Sequence, residues 1–304
     1  MNGILNVYKP QGLSSHAVVN RVRKFTDTRR VGHAGTLDPM ACGVLPVLVG
    51  SAASIQELIM DHRKTYVAGV RFGVTTDTGD VTGKVLAEKT PSFTEKQLEE
   101  LLPRFTGEIE QIPPMYSALQ KDGVRLYDLA RQGLTVERKA RKITVDSLRV
   151  VSPFDGKRAV LEVSCSRGTY IRTLAGDIGG ALGCGACLDF LERTVCGDYR
   201  KENAVTVVEL EQYYQAGTPE KIENLLISPE TLFMHLPAVR LAPFFERLAL
   251  CGAEIYLKKA RIKAPLTPEN PLCRVYDESG RFLAVARLGM YENGEAVKLV
   301  YRFV

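Results

Sequence analysis

Gly32-His33-Ala34-Gly35-Thr36-Leu37-Asp38-Pro39-Met40-Ala41-Cys42-Gly43-Val44-Leu45-Pro46 sets one histidine and one aspartate among three glycines and two prolines. Pro39 pushes Asp38 out of the right-handed helical region toward extended backbone, and Gly32, Gly35 and Gly43 allow turns that residues with side chains resist. A carboxylate held that way can point into a cleft. The same spacing also fits an ordinary helix start, with Asp38 as N-cap and Pro39 at the first helical position. On spacing alone the helix start is the commoner outcome, so the choice rests on the rest of the chain.

Upstream, the pattern predicts a strand over 4–8, a turn at Lys9-Pro10-Gln11-Gly12, and a helix capped by Ser14 or Ser15. Val18, Val19, Val22 and Phe25 form its apolar stripe and leave Arg21 and Lys24 outward. Downstream, an apolar stretch runs to Val49. Tyr66, Ala68, Val70 and Phe72 alternate with Val67, Gly69 and Arg71 as a strand that Gly73 ends. The short polar side chains of Thr76-Asp77-Thr78-Gly79-Asp80 predict a turn. A helix is expected over 94–105, strands over 143–151 and 159–165 joined at Asp155-Gly156, and a further helix capped by Thr169. Arg172 projects from that helix's first turn, while Ile171, Leu174, Ile178 and Leu182 pack inward. Residues 205–233 are weakly helical, and Pro237 and Pro243 mark a domain boundary. Short strands over 272–276, 282–288 and 296–303 then predict a small β-rich domain.

With 304 residues, 45% hydrophobic and 25% charged, the chain has the composition of a soluble globular protein able to bury a full core. No apolar run reaches the length of a membrane span and the N-terminus lacks a signal pattern, which predicts a cytoplasmic protein that does not engage membranes. Seven irregularly spaced cysteines predict free, buried thiols. Cys184-Gly-Ala-Cys187 has zinc spacing but no second pair, and the four histidines are scattered, so no metal site is expected. No phosphate-binding lysine motif or dinucleotide fingerprint is present, so no nucleotide cofactor is expected.

The net charge of +5 is modest, but it is unevenly placed. Residues 9–30 carry six Lys or Arg against Asp27, an excess of +5. Residues 113–142 carry seven against Asp122, Asp128 and Glu137, an excess of +4. Two basic segments flanking a candidate loop suggest a polyanionic substrate. One exposed Asp, an Arg at a helix start and a Tyr at a strand start suit a reaction on a nucleobase lifted out of an RNA stack. The ring takes up the lost stacking, and an adjacent Arg keeps the carboxylate ionised and aimed.

In order and spacing, a set of motifs across nearly the whole chain resembles the TruB family of pseudouridine synthases. They are Lys9-Pro10 with Gly12 and Ser15; Gly32 to Pro39; Lys64-Thr65-Tyr66; Thr76-Asp77-Thr78; Pro113-Pro114-Met115-Tyr116-Ser117-Ala118; Gly168-Thr169-Tyr170-Ile171-Arg172; and Leu191-Glu192-Arg193-Thr194. The resemblance implies an α/β (α+β) fold, with a catalytic domain over 1–236 on a mixed, largely antiparallel sheet and a β-rich PUA-like domain over 237–304. It implies isomerisation of uridine 55 in the T loop of tRNA to pseudouridine, without a cofactor. Asp38 would be the essential aspartate, Arg172 its ion-pair partner and Tyr66 the stacking ring. Tyr170 and Leu191 would line the pocket, His33 would contact the T loop, and Lys9 and Lys64 would bind substrate. Residues 113–142 would form a thumb over the RNA, swung from the sheet by Pro113 and Pro114. The partner would be tRNA, engaged through its T stem-loop by a monomer with no obligatory protein partner. Two alternatives stay open: a non-catalytic tRNA-binding or folding protein of the same fold, and an RNA-guided synthase. Asp38 adding to C6, attacking C1′ or removing the C2′ proton are equally compatible with the sequence. Cys42 departs from the threonine common at its position in the family.

Overall fold

The computed structural model describes residues 1–117, 119–121 and 123–304; Ala118 and Asp122, both within the 113–142 segment, lie outside the described residues. Ten strands form the main sheet. Its order is Val205–Thr206, Gly3–Lys9, Cys42–Val49, Ala186–Cys196, Lys64–Phe72, Arg158–Cys165, Arg141–Ser152 and Gly107–Gln111, with Val31–His33 and Tyr199–Arg200 attached at the side. Only the Gly3–Lys9/Val205–Thr206 and Cys42–Val49/Ala186–Cys196 pairs are parallel, so the sheet is mixed and largely antiparallel, as expected.

Side-chain alternation sends the strands' residues into two cores. Leu5, Val7, Leu45, Val47 and Val49 pack on one face with Val18, Val19, Val22 and Phe25 of the Ser15–Phe25 helix and with Ile171, Leu174 and Ile178 of the Ile171–Ala181 helix. Ile4, Val44 and Leu48 point to the other face, where they meet Ile55, Ile59, Phe233, Val285 and Phe303. Burial on both faces explains why Cys42–Val49 is apolar throughout instead of alternating. An isolated helix of eleven residues would be marginal in water, and burial at ~1.5–3 kcal/mol per large apolar side chain holds it in place.

The capping choice at the first helix falls on Ser14, whose hydroxyl accepts from the Ala17 N–H at 3.1 Å. The expected 94–105 helix is α-helical over Glu95–Leu101, with a capping box between Thr94 and Gln97. It tightens to a 3₁₀ turn over Leu102–Phe105, where Pro103 interrupts the α ladder. Thr169 is not the cap of the later helix; its hydroxyl donates to the Ser166 carbonyl, and the cap position is Tyr170.

The longest strand absent from the sequence reading is Ala186–Cys196, which lies near the centre of the sheet. Register shifts at Leu188/Phe190 and Arg193/Val195 break its period-two pattern, and Asp189, Glu192, Arg193 and Thr194 interrupt its apolar run. Between Gly107–Gln111 and Arg141–Ser152 the basic segment holds a short hairpin (Gln120–Lys121 with Val124–Arg125) and a helix, Leu126–Arg131.

A second, five-stranded sheet runs Ala238–Arg240, Leu272–Tyr276, Phe282–Tyr291, Gly294–Arg302, Ile255–Tyr256. It has its own core around Val239, Val275, Leu283 and Ala286, yet Val285 and Phe303 join the core beneath the main sheet. The Asn2 side-chain amide donates to the Phe303 carbonyl at 2.6 Å, tying the two ends of the chain together. All seven cysteines are free, and only Cys251 is exposed. Among the described residues no helix is long and apolar enough to cross a membrane, and no cluster of potential metal ligands occurs.

Candidate active site

Local geometry decides what Asp38 does. Its carbonyl accepts from the Ala41 N–H at 3.0 Å, closing a single turn, and the Cys42–Val49 strand begins directly after. No helix follows for Asp38 to cap. The Ser15 hydroxyl grips the preceding residue, accepting from the Leu37 N–H at 2.8 Å and donating to the Leu37 carbonyl at 2.9 Å. The Gly12 N–H donates to the Pro39 carbonyl at 2.7 Å. The loop is thus fastened on both sides of Asp38, and the carboxylate faces a cavity.

Gly35 and Gly43 have the positive φ values expected of them, +96° and +107°. Gly32 instead lies in a strand with negative φ, and its missing side chain makes room for Gln56. A Cβ on Gly43 would sit 2.2 Å from the Arg193 carbonyl. Gly43→Ala is therefore expected to lower stability by at least the ~1–3 kcal/mol of backbone strain, with the clash added. Urea unfolding checks this: an unchanged midpoint would contradict the Arg193–Gly43 register.

Arg172 is 6% exposed and uses all three of its guanidinium nitrogens. Nε pairs with Asp38 Oδ2 at 2.9 Å, Nη1 donates to the Thr78 carbonyl at 2.8 Å, and Nη2 donates to the Tyr116 carbonyl at 2.7 Å. One side chain therefore joins the Asp38 loop, the Thr76–Asp80 turn and the root of the basic segment. The Asp38 side chain keeps 37% exposure toward the cavity. Burial raises its carboxyl above the ordinary carboxylate range and nearby Asp80 adds to this, while Arg172 and Lys9 pull it back.

The cavity, about 240 Å³, is lined by Asp38, Arg172, Tyr66, Tyr170, Leu191 and Lys64, six of the eight expected site residues. That lies below the ~300–1,000 Å³ of drug-sized sites and matches the scale of a single nucleobase with its sugar. Burial pushes the Tyr66 phenol up to about 12, so its ring stays neutral near pH 7; Arg193 opposes the shift. Burial likewise raises the Tyr170 phenol. Leu191 and Tyr66 face the space from adjacent strands, where Leu191 pairs with Ala68 and Arg193 with Tyr66.

Lys9 and His33 are not in the lining. Lys9 is fully buried, and its ammonium donates to the Pro10 and Leu13 carbonyls at 3.0 and 2.6 Å. It ties down the loop that carries Gly12 and lies outside the cavity lining. Burial lowers its ammonium to about 8. Lys64 lines the cavity, but its ammonium is drawn back to the Met60 and His62 carbonyls at 2.7 and 2.6 Å. In this arrangement both ammonium groups are directed at backbone carbonyls. His33 lies on the Val31–His33 strand, and burial, with Arg193 and His16, lowers its imidazole to about 4. A neutral ring with Nδ1 unpaired among the described residues suits neutral hydrogen bonding.

Two residues of this site carried no individual signal in the sequence. Arg193, 1% exposed, donates to the Val44 and Gly35 carbonyls at 2.7 and 3.0 Å and pins both ends of the Asp38 loop. Asp80, 4% exposed, accepts from the hydroxyls of Thr78 and Thr82 and from the Thr82 N–H. Each lay inside or beside a recognised motif, but its role depends on which loops the fold brings together.

Two family models match consecutive parts of the chain: TruB family pseudouridylate synthase (N terminal domain) over residues 23–171, and tRNA pseudouridylate synthase B C-terminal domain over residues 172–234. A protein from Azoarcus sp. (strain BH72) named tRNA pseudouridine synthase B is 45% identical over 84% of this chain and 83% of its own length. Proteins of the same name from Pseudomonas aeruginosa (strain UCBPP-PA14) and Moorella thermoacetica are 41% and 43% identical, over 95% and 94% of this chain and 92% and 93% of theirs. Among solved structures, a chain of an H/ACA ribonucleoprotein bound to a substrate RNA containing 2′-deoxyuridine superposes with a TM-score of 0.68. It is 25% identical over 99% of this chain and 85% of its own. By these matches, and by the fold they share, the chain belongs to the TruB family of pseudouridylate synthases.

Proposed function

We propose that this chain converts uridine 55 in the T loop of tRNA to pseudouridine, with the target base flipped into the cavity and Asp38 as the essential carboxylate. The observation that carries this reading is the Asp38–Arg172 pair beside a base-sized cavity walled by Tyr66, Tyr170 and Leu191. Relatives that are 41–45% identical and named tRNA pseudouridine synthase B support tRNA as the substrate.

In the reaction the N1–C1′ bond breaks, the base turns within the cavity and C5 bonds to C1′. C5 loses its proton and N1 takes one up. No electrons are gained or lost, so no redox cofactor is required. Addition to C6, attack on C1′ and removal of the C2′ proton all start from an ionised carboxylate beside the sugar–base junction, the state that Arg172 favours. Tyr66 offers its ring face to the uracil, and Leu191 and Tyr170 exclude water. His33 contacts the T loop from outside the cavity.

Residues 113–142 act as the thumb, with Lys121, Arg125, Arg131, Lys139, Arg141 and Lys142 all exposed. Residues 237–304 act as a PUA-like domain on the acceptor side of the tRNA. The enzyme works as a cytoplasmic monomer without an obligatory protein partner.

Purified chain incubated with an unmodified tRNA transcript, without guide RNA, is expected to yield pseudouridine at position 55. Product only on addition of a guide RNA would replace this reading with an RNA-guided one, and binding without product with a non-catalytic one. Binding is also expected to weaken steeply with salt, on the order of 10³-fold between 50 and 200 mM if about six phosphates are neutralised. A flat response in filter binding would contradict the thumb's grip.

A further inference from the structure

Gln111 ends the Gly107–Gln111 strand, immediately before the Ile112-Pro113-Pro114 root of the basic segment, and is 3% exposed. Both the oxygen and the nitrogen of its side-chain amide bond one residue of the cavity wall. Oε1 accepts from the Tyr170 N–H at 2.8 Å, and Nε2 donates to the Tyr170 carbonyl at 3.1 Å. Tyr170 is the N-cap of the Ile171–Ala181 helix and makes no side-chain capping bond of its own. Its carbonyl already accepts from the Leu174 N–H at 3.0 Å, so Gln111 takes the remaining acceptor position.

We propose that Gln111 is a positioning residue for the isomerisation, setting the Tyr170 ring and, two residues on, the Arg172 guanidinium that holds Asp38. The proposal rests on the function given above. A helix start is set by its first backbone groups, and here those groups are fixed from another strand instead of by a local cap. The register of the first turn therefore depends on Gln111. Arg172 in turn reaches back to the Tyr116 carbonyl, and Arg138 Nη1 reaches the Pro113 carbonyl at 3.2 Å. The 111–116 root and the 170–172 helix start are thus bonded at two points, one through Gln111 and one through Arg172. The RNA-gripping segment and the catalytic pair share one rigid joint. A role confined to sealing a helix end would predict lost stability and nothing more.

The test compares Gln111→Leu and Gln111→Glu with wild type in single-turnover assays on unmodified tRNA transcript, alongside tRNA binding and thermal melting. Leucine removes both bonds, and the rate at saturating tRNA should fall ~10–100-fold, the scale of a sub-ångström to 1 Å misplacement, with Kd for tRNA within about 3-fold of wild type. The glutamate variant separates positioning from folding. Ionised, it accepts from the Tyr170 N–H but repels the carbonyl; protonated, it offers the same acceptor and donor as glutamine. Its rate relative to wild type at the same pH should therefore climb toward one as pH is lowered, in a sample that stays folded throughout. Wild-type rates in both variants with only the melting temperature lowered would overturn the proposal, as would a Gln111→Glu to wild-type ratio that stays well below one at every pH. Should wild type itself bind tRNA but make no pseudouridine, the function on which the proposal rests would fall first.

Discussion

Arg172→Met is expected to reduce pseudouridine formation by about 10²–10³-fold and to move the acid limb of the pH–rate profile upward. The guanidinium is buried and binds one carboxylate and two carbonyls, so truncation strips three acceptors at once. Breaking a buried ion pair costs about 3–5 kcal/mol, and because Asp38 is partly open to solvent the loss lies at or below the low end of that range. Burial already raises the Asp38 carboxyl, and Arg172 is the largest influence opposing it. Without Arg172 the carboxyl rises further, and an ionised Asp38 is reached only at higher pH. The variant's activity should therefore recover partly as pH rises above the wild-type plateau. Arg172→Lys should rescue little, since one ammonium cannot serve three directions fixed by a planar fork. A pH–rate profile of Arg172→Met that superimposes on wild type after scaling would contradict the ion pair's electrostatic role.

How far the sequence reached can be followed in particular residues. The Ser15–Phe25 helix and the Lys64–Phe72 strand were legible because one face of each is buried and the other is not, which leaves a period in the chain. Ala186–Cys196 was not, because two register shifts and a run of polar residues erase that period at the centre of the sheet. The Asp38 loop was legible as an odd stretch but not, on its own spacing, as a site: Asp38 before Pro39 fits a helix cap better, and the Ser15 clasp and the Cys42–Val49 strand exclude it.

Sequence identified six of the residues lining the cavity, through motifs whose order is specific, but it could not tell a surface lysine from a buried one. Lys9 and Lys64 were expected at the substrate because they lie in motifs shared with the family. The fold buries both side chains and directs their ammonium groups to backbone carbonyls. Arg193, Asp80 and Gln111 escaped for the opposite reason: each acts on a segment far away in the chain, so no local spacing announces it. Cys42, the departure from the family's usual threonine, is buried with its sulfur 3.5 Å from the Tyr8 hydroxyl, which also donates to Glu192 Oε1 at 2.8 Å. The thiol thus sits in a side-chain network behind the loop, not in the cavity lining.

Asp38→Asn tests the central claim most directly. The amide is nearly isosteric and can still accept from Arg172, so the loop and cavity should persist, while the charge and basicity that every route to pseudouridine requires are gone. Product formation and tRNA binding should be measured separately, on an unmodified transcript at saturating enzyme. The expected result is a rate at least ~10³-fold below wild type with tRNA affinity within a few-fold of it. Pseudouridine appearing at position 55 at a rate near wild type would contradict the assignment of Asp38, and with it the chemistry proposed for this site.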